Sequence, residues 1–346
     1  ENTTVPDPEQ FDRLDYLLWC MKKRGIYYTT DVYVSRRKLT AVELPDLGGI
    51  ETPAEFKALF WIDDAVYANW EKWAGAFLCH VNPYTGTALK DDPALLSLSL
   101  VNEGNPEKWW NATPRSADRW QQAFDRWLRQ EKLSPKDRDD RTILFRNFLA
   151  TCAEARYRRM KTFMRGLGCT VPLTDQNFVS TVRLSAERAV YDFVDNHAYW
   201  DHPRFAETRW QLPILPSQIN PLQYAKSVPG ILMPTRLYGK PFTVTEFDYA
   251  NPNRYRAVGP AFMAAYAAFQ DWDGLWQFAY GHSSRIVKNE DTYYGFFDIA
   301  ADLTKTFAER IAARLFLAGG IEPASRVFTA RSEERRVGKE CRSRWS

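Results

Sequence analysis

Residues 96–103 read Leu-Ser-Leu-Ser-Leu-Val-Asn-Glu. An aliphatic run this short, with only small hydroxyl residues inside it, fits a strand covered on both faces, and it closes on an amide and a carboxylate. The same form returns at 241–246 as Pro-Phe-Thr-Val-Thr-Glu. Two such strands, far apart in sequence and each ending on a glutamate, set the frame for the rest of the chain. In a parallel barrel their carboxyl ends, and so Glu103 and Glu246, come to one face.

Outward from these two stretches, strands alternate with helices. Residues 8–24 carry Phe11, Leu14, Leu18 and Met21 at helical spacing and stop at Lys-Lys-Arg-Gly, cations and then a glycine at the carbonyl end. Residues 26–35 are β-rich, 53–80 helical, and 95–101 a buried strand. Helix fills most of 115–168, broken at Ser134-Pro135, and short strands follow at 169–173 and 189–196. Residues 203–236 are proline-rich and read as a long functional loop with a short helix. Then come a strand at 242–246, a helix at 253–270, a strand at 274–280 and an amphipathic helix over 300–317 on Phe307, Ile311, Ala312 and Leu315. Six strands alternating with helices predict a parallel sheet. No Gly-x-Gly-x-x-Gly follows any of them, so a dinucleotide or phosphate-loop site has no support. The expected fold is α/β, a (β/α)₈ TIM barrel without its first two strands. The expected domain occupies residues 1–320, and 321–330 begin a continuation.

The predicted strand ends carry a polar set. Asp31 and Tyr33 come first, then Asn102 and Glu103, then Thr174, Asp175, Gln176 and Asn177. Asn196, His197 and Tyr199 follow, with Trp200 and His202 beyond, then Glu246, and finally Trp276, Tyr280 and His282 around the last strand. Three of the chain's four histidines lie in this set.

These motifs resemble a clan A retaining glycoside hydrolase, nearest in pattern to family 5 (cellulase-like). Asn102-Glu103 matches the Asn-Glu that ends strand 4 of that clan. Thr-Val-Thr-Glu-Phe with Glu246 matches the strand 7 nucleophile, and His197-Ala198-Tyr199 matches the His-x-Tyr of strand 6. Gly-Leu-Trp-Gln-Phe-Ala-Tyr-Gly-His (274–282) offers Trp276, Phe278 or Tyr280 as the strand 8 aromatic. The resemblance implies Glu103 as acid/base and Glu246 as nucleophile on a β-linked oligosaccharide or polysaccharide. It implies Asn102 on the sugar 2-hydroxyl, Tyr199 on the nucleophile, and His197, Trp276, Tyr280, His282 and Asp31 as further substrate contacts. It implies no cofactor and no metal, and an extracellular or periplasmic setting. The pattern departs in two places: no strand 2 arginine is present, and Asp31-Val32-Tyr33 stands where cellulase-like families carry a histidine. A packing or ion-pairing role is open for each of these residues. Trp109, Trp110, Trp200 and Trp210 are candidates either for stacking on sugar or for packing. Two other readings stand beside the first: a carbohydrate-binding pseudoenzyme, and an enolase-like barrel with Asp31, Glu103 and Asp175 on Mg²⁺.

Composition narrows the field. The formal charge is +3, but residues 331–346 alone hold six Lys/Arg against three Glu, so the body is neutral and lacks the basic footprint of a nucleic-acid binder. That tail has neither helical nor strand periodicity and resembles a translated sequencing adaptor, so it is read as non-native and set aside, and the chain as a fragment. No apolar run is long enough to cross a membrane. Cys20, Cys79, Cys152 and Cys169 show no C-x-x-C or metal spacing, and Cys20 and Cys79 are expected as buried free thiols. Thirteen Trp and seventeen Tyr suit both sugar stacking and core filling.

Overall fold

The computed structural model describes residues 2–36, 38–178, 181–288, 290 and 295–329. The tail at 331–346 lies outside the described residues. The chain forms two compact units, of which the first contains 2–36, 38–177 and 190–192 and the second contains 178, 181–189, 193–288, 290 and 295–329.

In the first unit, β1 (Tyr28–Asp31), β4 (Leu95–Ser99) and β5 (Leu173–Thr174) form a parallel sheet in the order β1-β4-β5, and β2 (Val81–Asn82) with β3 (Thr87–Ala88) forms a small antiparallel ribbon. The register pairs Asp31 with Ser99 and Ser99 with Thr174, so the polar residues that follow each strand gather at one edge of the sheet. Helices Pro8–Lys22, Pro53–Leu59, Asp64–Cys79, Pro114–Gln130 and Arg138–Gly166 supply the cover. Their starts follow from local chemistry. The side chains of Asp7, Thr52, Asp63, Thr113 and Asp137 each accept a backbone N–H of the first turn. The expected break at Ser134-Pro135 falls between the last two of these helices.

The aromatic wealth goes largely into architecture here. Phe56, Phe60, Trp61, Tyr67, Trp70, Trp120 and Phe124 are buried in one core. Several indoles also grip main-chain carbonyls: Trp73 Nε1 donates to Val32 O at 2.6 Å, Trp70 to Leu100 O at 3.2 Å and Trp61 to Gly104 O at 2.8 Å. Tryptophan buries a large apolar body and still satisfies a carbonyl just past a strand end.

In the second unit, β6 (Val194–Trp200), β7 (Phe242–Tyr249) and β8 (Gly274–Gln277) form a parallel sheet in that order. Val194, Ala198, Val244, Phe247 and Tyr249 join a core with Met263 and Ala267 of helix Val258–Phe269. Strand β7 carries one extra residue: Val244 pairs Asn196 but Glu246 pairs His197, and against β8 the register jumps from Val244–Leu275 to Phe247–Gln277. This bulge at 245 re-aims the side chains around Glu246.

The α/β class with parallel strands is as expected. Among the described residues the strands form two three-stranded parallel sheets, and no closed eight-stranded barrel is present. Two expectations are corrected. The last helix, Leu303–Phe316, turns the other way: Phe307 and Ile311 are exposed, while Lys305 and Ala308 are buried. The reason is Lys305, whose ammonium meets Asp248 Oδ2 at 2.6 Å with both side chains fully buried, and the helix rotates to deliver it. Cys79, the last residue of its helix, is exposed, and Cys20 is half-buried; both are free, as are Cys152 and Cys169. No helix among the described residues is long and apolar enough to cross a membrane.

Candidate active site

The second unit holds Glu246 on the carboxyl-terminal half of β7. Residues 195, 197 and 199 alternate onto one face of β6, which carries no skipped residue of its own. Tyr199 Oη donates to Glu246 Oε2 at 2.5 Å, and His197 Nδ1 lies 3.5 Å from the same oxygen. Below them Asp195 is fully buried. Its carboxylate accepts from Thr243 Oγ1 at 2.7 Å, from the Thr245 amide at 3.0 Å and from Thr245 Oγ1.

This arrangement fixes a tautomer. A hydroxyl has one proton, and Thr245 gives its proton to Asp195. Thr245 Oγ1 therefore accepts from His197 Nε2, 3.1 Å away, so Nε2 carries the hydrogen. A second proton, on Nδ1, would point at Glu246 and make an imidazolium with Asp195 Oδ2 3.8 Å from its other nitrogen. A chain of Asp195, Thr245 and His197 thus runs under the Glu246 carboxylate, and the bulge at Thr245 is what brings its hydroxyl into reach of both partners.

The first unit holds Glu103 in a tightly held turn after β4. Its backbone is left-handed, with φ at 51°, a conformation uncommon for a residue with a side chain and concentrated at functional sites. Three contacts hold it: the Glu103 amide donates to Asn177 Oδ1 at 2.8 Å, Trp109 Nε1 donates to Glu103 O at 2.6 Å, and Asn105 Nδ2 donates to Gln176 O at 3.1 Å. Gly104 permits the turn, because a Cβ there would stand 2.7 Å from Val101 Cγ1. The Asn102 amide donates to Tyr33 O at 2.8 Å, while its side-chain Oδ1 is buried with no hydrogen-bond partner among the described residues.

The remaining candidates divide. Asp31 closes β1 at the edge where Asn102 and Glu103 follow β4. In the second unit it is Phe278, not Tyr280, whose ring meets Tyr199, edge-on at 6.3 Å. Tyr280 is largely exposed, at 68%. Trp276 folds back over Gly274, where a Cβ would lie 2.3 Å from its ring. His282 Nδ1 is 2.8 Å from the buried Asp298 carboxylate, and its ring lies 5.3 Å from Phe278, which ties it to the same aromatic group. Trp109 serves Glu103 through its indole N–H, and Trp110 packs on Phe145. The sequence reading missed Asp195, Thr245 and the Asn177 side chain's hold on Glu103. Asp195 had a signal: it stands two residues before His197 in a strand, hence on the same face.

No family model matches the sequence, and no curated protein matches it. Solved structures do resemble it in fold. An endo-β-1,4-mannanase from Thermotoga petrophila aligns with TM-score 0.54 and 16% identity over 89% of this chain and 62% of that one. A glycoside hydrolase family 5 mannosidase from Rhizomucor miehei, in complex with mannosyl-fructose, aligns with TM-score 0.52 and 14% identity over 88% and 75%. A Bacteroidetes-affiliated family 5 cellulase aligns with TM-score 0.51 and 13% identity over 94% and 82%. The chain thus spans about three-fifths of the mannanase's length. At these identities the likeness is one of fold, that of the family 5 (β/α)₈ barrels.

Proposed function

We propose that the chain is a retaining glycoside hydrolase acting on β-linked glycans, with Glu246 as nucleophile and Glu103 as acid/base. The observation that carries this reading is the treatment of Glu246: a carboxylate beside the β7 bulge that accepts from a tyrosine hydroxyl at 2.5 Å beside an imidazole nitrogen at 3.5 Å, both positioned from the adjacent strand. The tyrosine donor on one carboxylate oxygen favours the ionised form and leaves the other oxygen for attack. The fold likeness to family 5 mannan- and glucan-active enzymes supports the substrate class.

In the first step a Glu246 oxygen bonds to the anomeric carbon as the glycosidic C–O bond breaks, and Glu103 gives its proton to the departing oxygen. In the second, Glu103 takes a proton from water, the water oxygen bonds to the same carbon, and Glu246 leaves with its electron pair. Two inversions retain the configuration. Glu103 must alternate between acid and base, which suits a backbone clamped at both its amide and its carbonyl. Asn102 Oδ1, buried and without a hydrogen-bond partner among the described residues, is suited to accept from the sugar 2-hydroxyl, a contact that strengthens in the oxocarbenium-like transition state.

The test is hydrolysis of β-1,4-mannan, β-1,4-glucan and their oligosaccharides, with the anomer of the first product followed by NMR. Retention is expected; inversion, or no cleavage of any β-glycan, would overturn the reading. The mechanism uses no metal ion, so activity should survive exhaustive chelation. Loss of activity that Mg²⁺ restores would instead favour the metal-dependent reading built on Asp31, Glu103 and Asp175.

A further inference from the structure

The loop after β6 presents one tryptophan in an unusual way. Trp210 has a left-handed backbone, φ 66°, which a large side chain adopts only when its surroundings impose it. They do so here. Residues 204–215 form a narrow hairpin-like loop: Ala206 N donates to Pro213 O at 3.0 Å, Leu215 N to Arg204 O at 2.8 Å and Gln211 N to Thr208 O at 3.1 Å. Its base is fastened by the Asp201 carboxylate, which accepts from the Ser217 amide at 2.8 Å, the Gln218 amide at 3.2 Å and Asn253 Nδ2 at 2.9 Å. Trp210 sits at the tip, 49% exposed.

Among the described residues its ring is buttressed but not capped by another ring. Phe205, His202, Phe296 and Phe297 surround it at 5.1 to 6.5 Å, with interplanar angles from 41° to 69°. All four neighbours meet it tilted or edge-on, and the guanidinium of the exposed Arg209 lies over the ring, 5.5 Å from its centroid. The group is continuous with the nucleophile. His202 lies 5.6 Å from the Tyr199 ring and 5.7 Å from Trp210, and Tyr199 holds Glu246. Burying an indole in the core would satisfy hydrophobicity. A chain that bends its backbone into the left-handed region and sets four rings around the indole holds it in place yet half exposed, two ring contacts from a reactive carboxylate.

We propose that Trp210 is a stacking platform for a β-linked hexopyranose of the substrate, at a subsite outside the one where the bond breaks. The C–H face of such a sugar is flat and apolar, and an indole held rigid beforehand binds it with little ordering cost. Arg209 would then flank the bound ring. The inference rests on the glycosidase reading and adds to it a residue that selects for chain length.

The experiment compares wild type, Trp210→Ala and Trp210→Phe on manno- and cello-oligosaccharides of increasing length and on a short aryl glycoside. For Trp210→Ala the prediction is a KM raised about tenfold on the longer oligosaccharides, with kcat on the aryl glycoside unchanged. Trp210→Phe should stay within a few-fold of wild type, and it keeps the test open should the alanine variant misfold. The same oligosaccharides should quench wild-type tryptophan fluorescence, and Trp210→Phe should lose that quench. Equal KM values for wild type and Trp210→Ala at every length would overturn the platform and leave the glycosidase reading intact. A wild type that cleaves nothing would overturn the glycosidase reading. The platform would then stand on a quench that Trp210→Phe abolishes, and fall if there is none.

Discussion

Thr245 has one proton to give and Asp195 takes it, so the geometry at Glu246 depends on a carboxylate that never touches substrate. Asp195→Asn puts an amide where the Thr245 hydroxyl donates and frees His197 to change tautomer. The expected result is a kcat lowered tenfold or more with KM little changed, measured on an aryl glycoside. An unchanged kcat would remove Asp195 from the site. Asp195→Ala should also destabilise the protein, by about 1 kcal/mol or more for each buried donor left unpaired, as read from chemical denaturation. Glu103→Gln should lower kcat by about 10²–10⁴ on substrates with poor leaving groups, and far less on activated aryl glycosides that need no acid. Asn102, Glu103, His197, Tyr199 and Glu246 were legible in the sequence as polar residues at the carboxyl side of apolar runs, although only Asn102 and Glu103 follow their strand; His197 and Tyr199 lie inside β6 and Glu246 inside β7, which runs on to Tyr249. Asp195 left only the signal of its place two residues before His197, and its role emerges once the partner strand supplies two threonines.

The Glu103 turn and the β7 bulge place the candidate carboxylates. Both depend on one residue at which the chain departs from regular structure. Gly104 is the cheaper to test: a methyl group there would collide with Val101. Gly104→Ala should displace the Glu103 backbone and cost activity at least as severely as it costs stability, a comparison of kcat with the denaturation midpoint. A fully active Gly104→Ala would mean the turn has slack that its three anchoring contacts do not suggest. The reading of short apolar runs located β4, β7 and β8 within a few residues but set β6 at 189–196, where the structure has Val194–Trp200. It could not find the bulge, because one inserted residue leaves the local composition unchanged. It also misread the last helix: Phe307 and Ile311 were chosen as the core stripe on hydrophobicity, whereas the burial of Lys305 on Asp248 decided the rotation.

At the scale of the molecule, that buried pair gives stability an unusual pH dependence. Gln277 Nε2 donates to Asp248 at 2.6 Å, and Lys305 is its counter-ion. Even so, burial pushes the Asp248 carboxyl up to about 6. Glu309, whose Oε1 is buried without a hydrogen-bond partner among the described residues, is pushed up to about 7 by burial and by the Asp248 charge. A carboxyl raised in the folded state contributes stability that is complete below its ordinary value and is lost as pH rises through the raised one. Asp201 and Asp302 are held low by backbone and side-chain donors, Arg256 among them for Asp302. Their contribution is already complete above about pH 5 and does not oppose the trend. Thermal unfolding should therefore shift to lower temperature between about pH 5 and 8, and Glu309→Gln should flatten that slope. A wild-type melting temperature that climbs over this range would contradict the assignment. The α/β class was legible from the strand–helix alternation. The division into two sheets was not, because strand pairing is set by contacts between distant segments that one sequence does not display.

The central claim is that Glu246 attacks the anomeric carbon, and covalent trapping tests it most directly. The protein would be incubated with activated fluoro-glycosides of the β-gluco and β-manno series, digested, and its labelled peptide sequenced by mass spectrometry. The account predicts a single glycosyl adduct on Glu246, absent from Glu246→Gln. An adduct on another residue, or turnover of these reagents with inversion and no adduct, would contradict it.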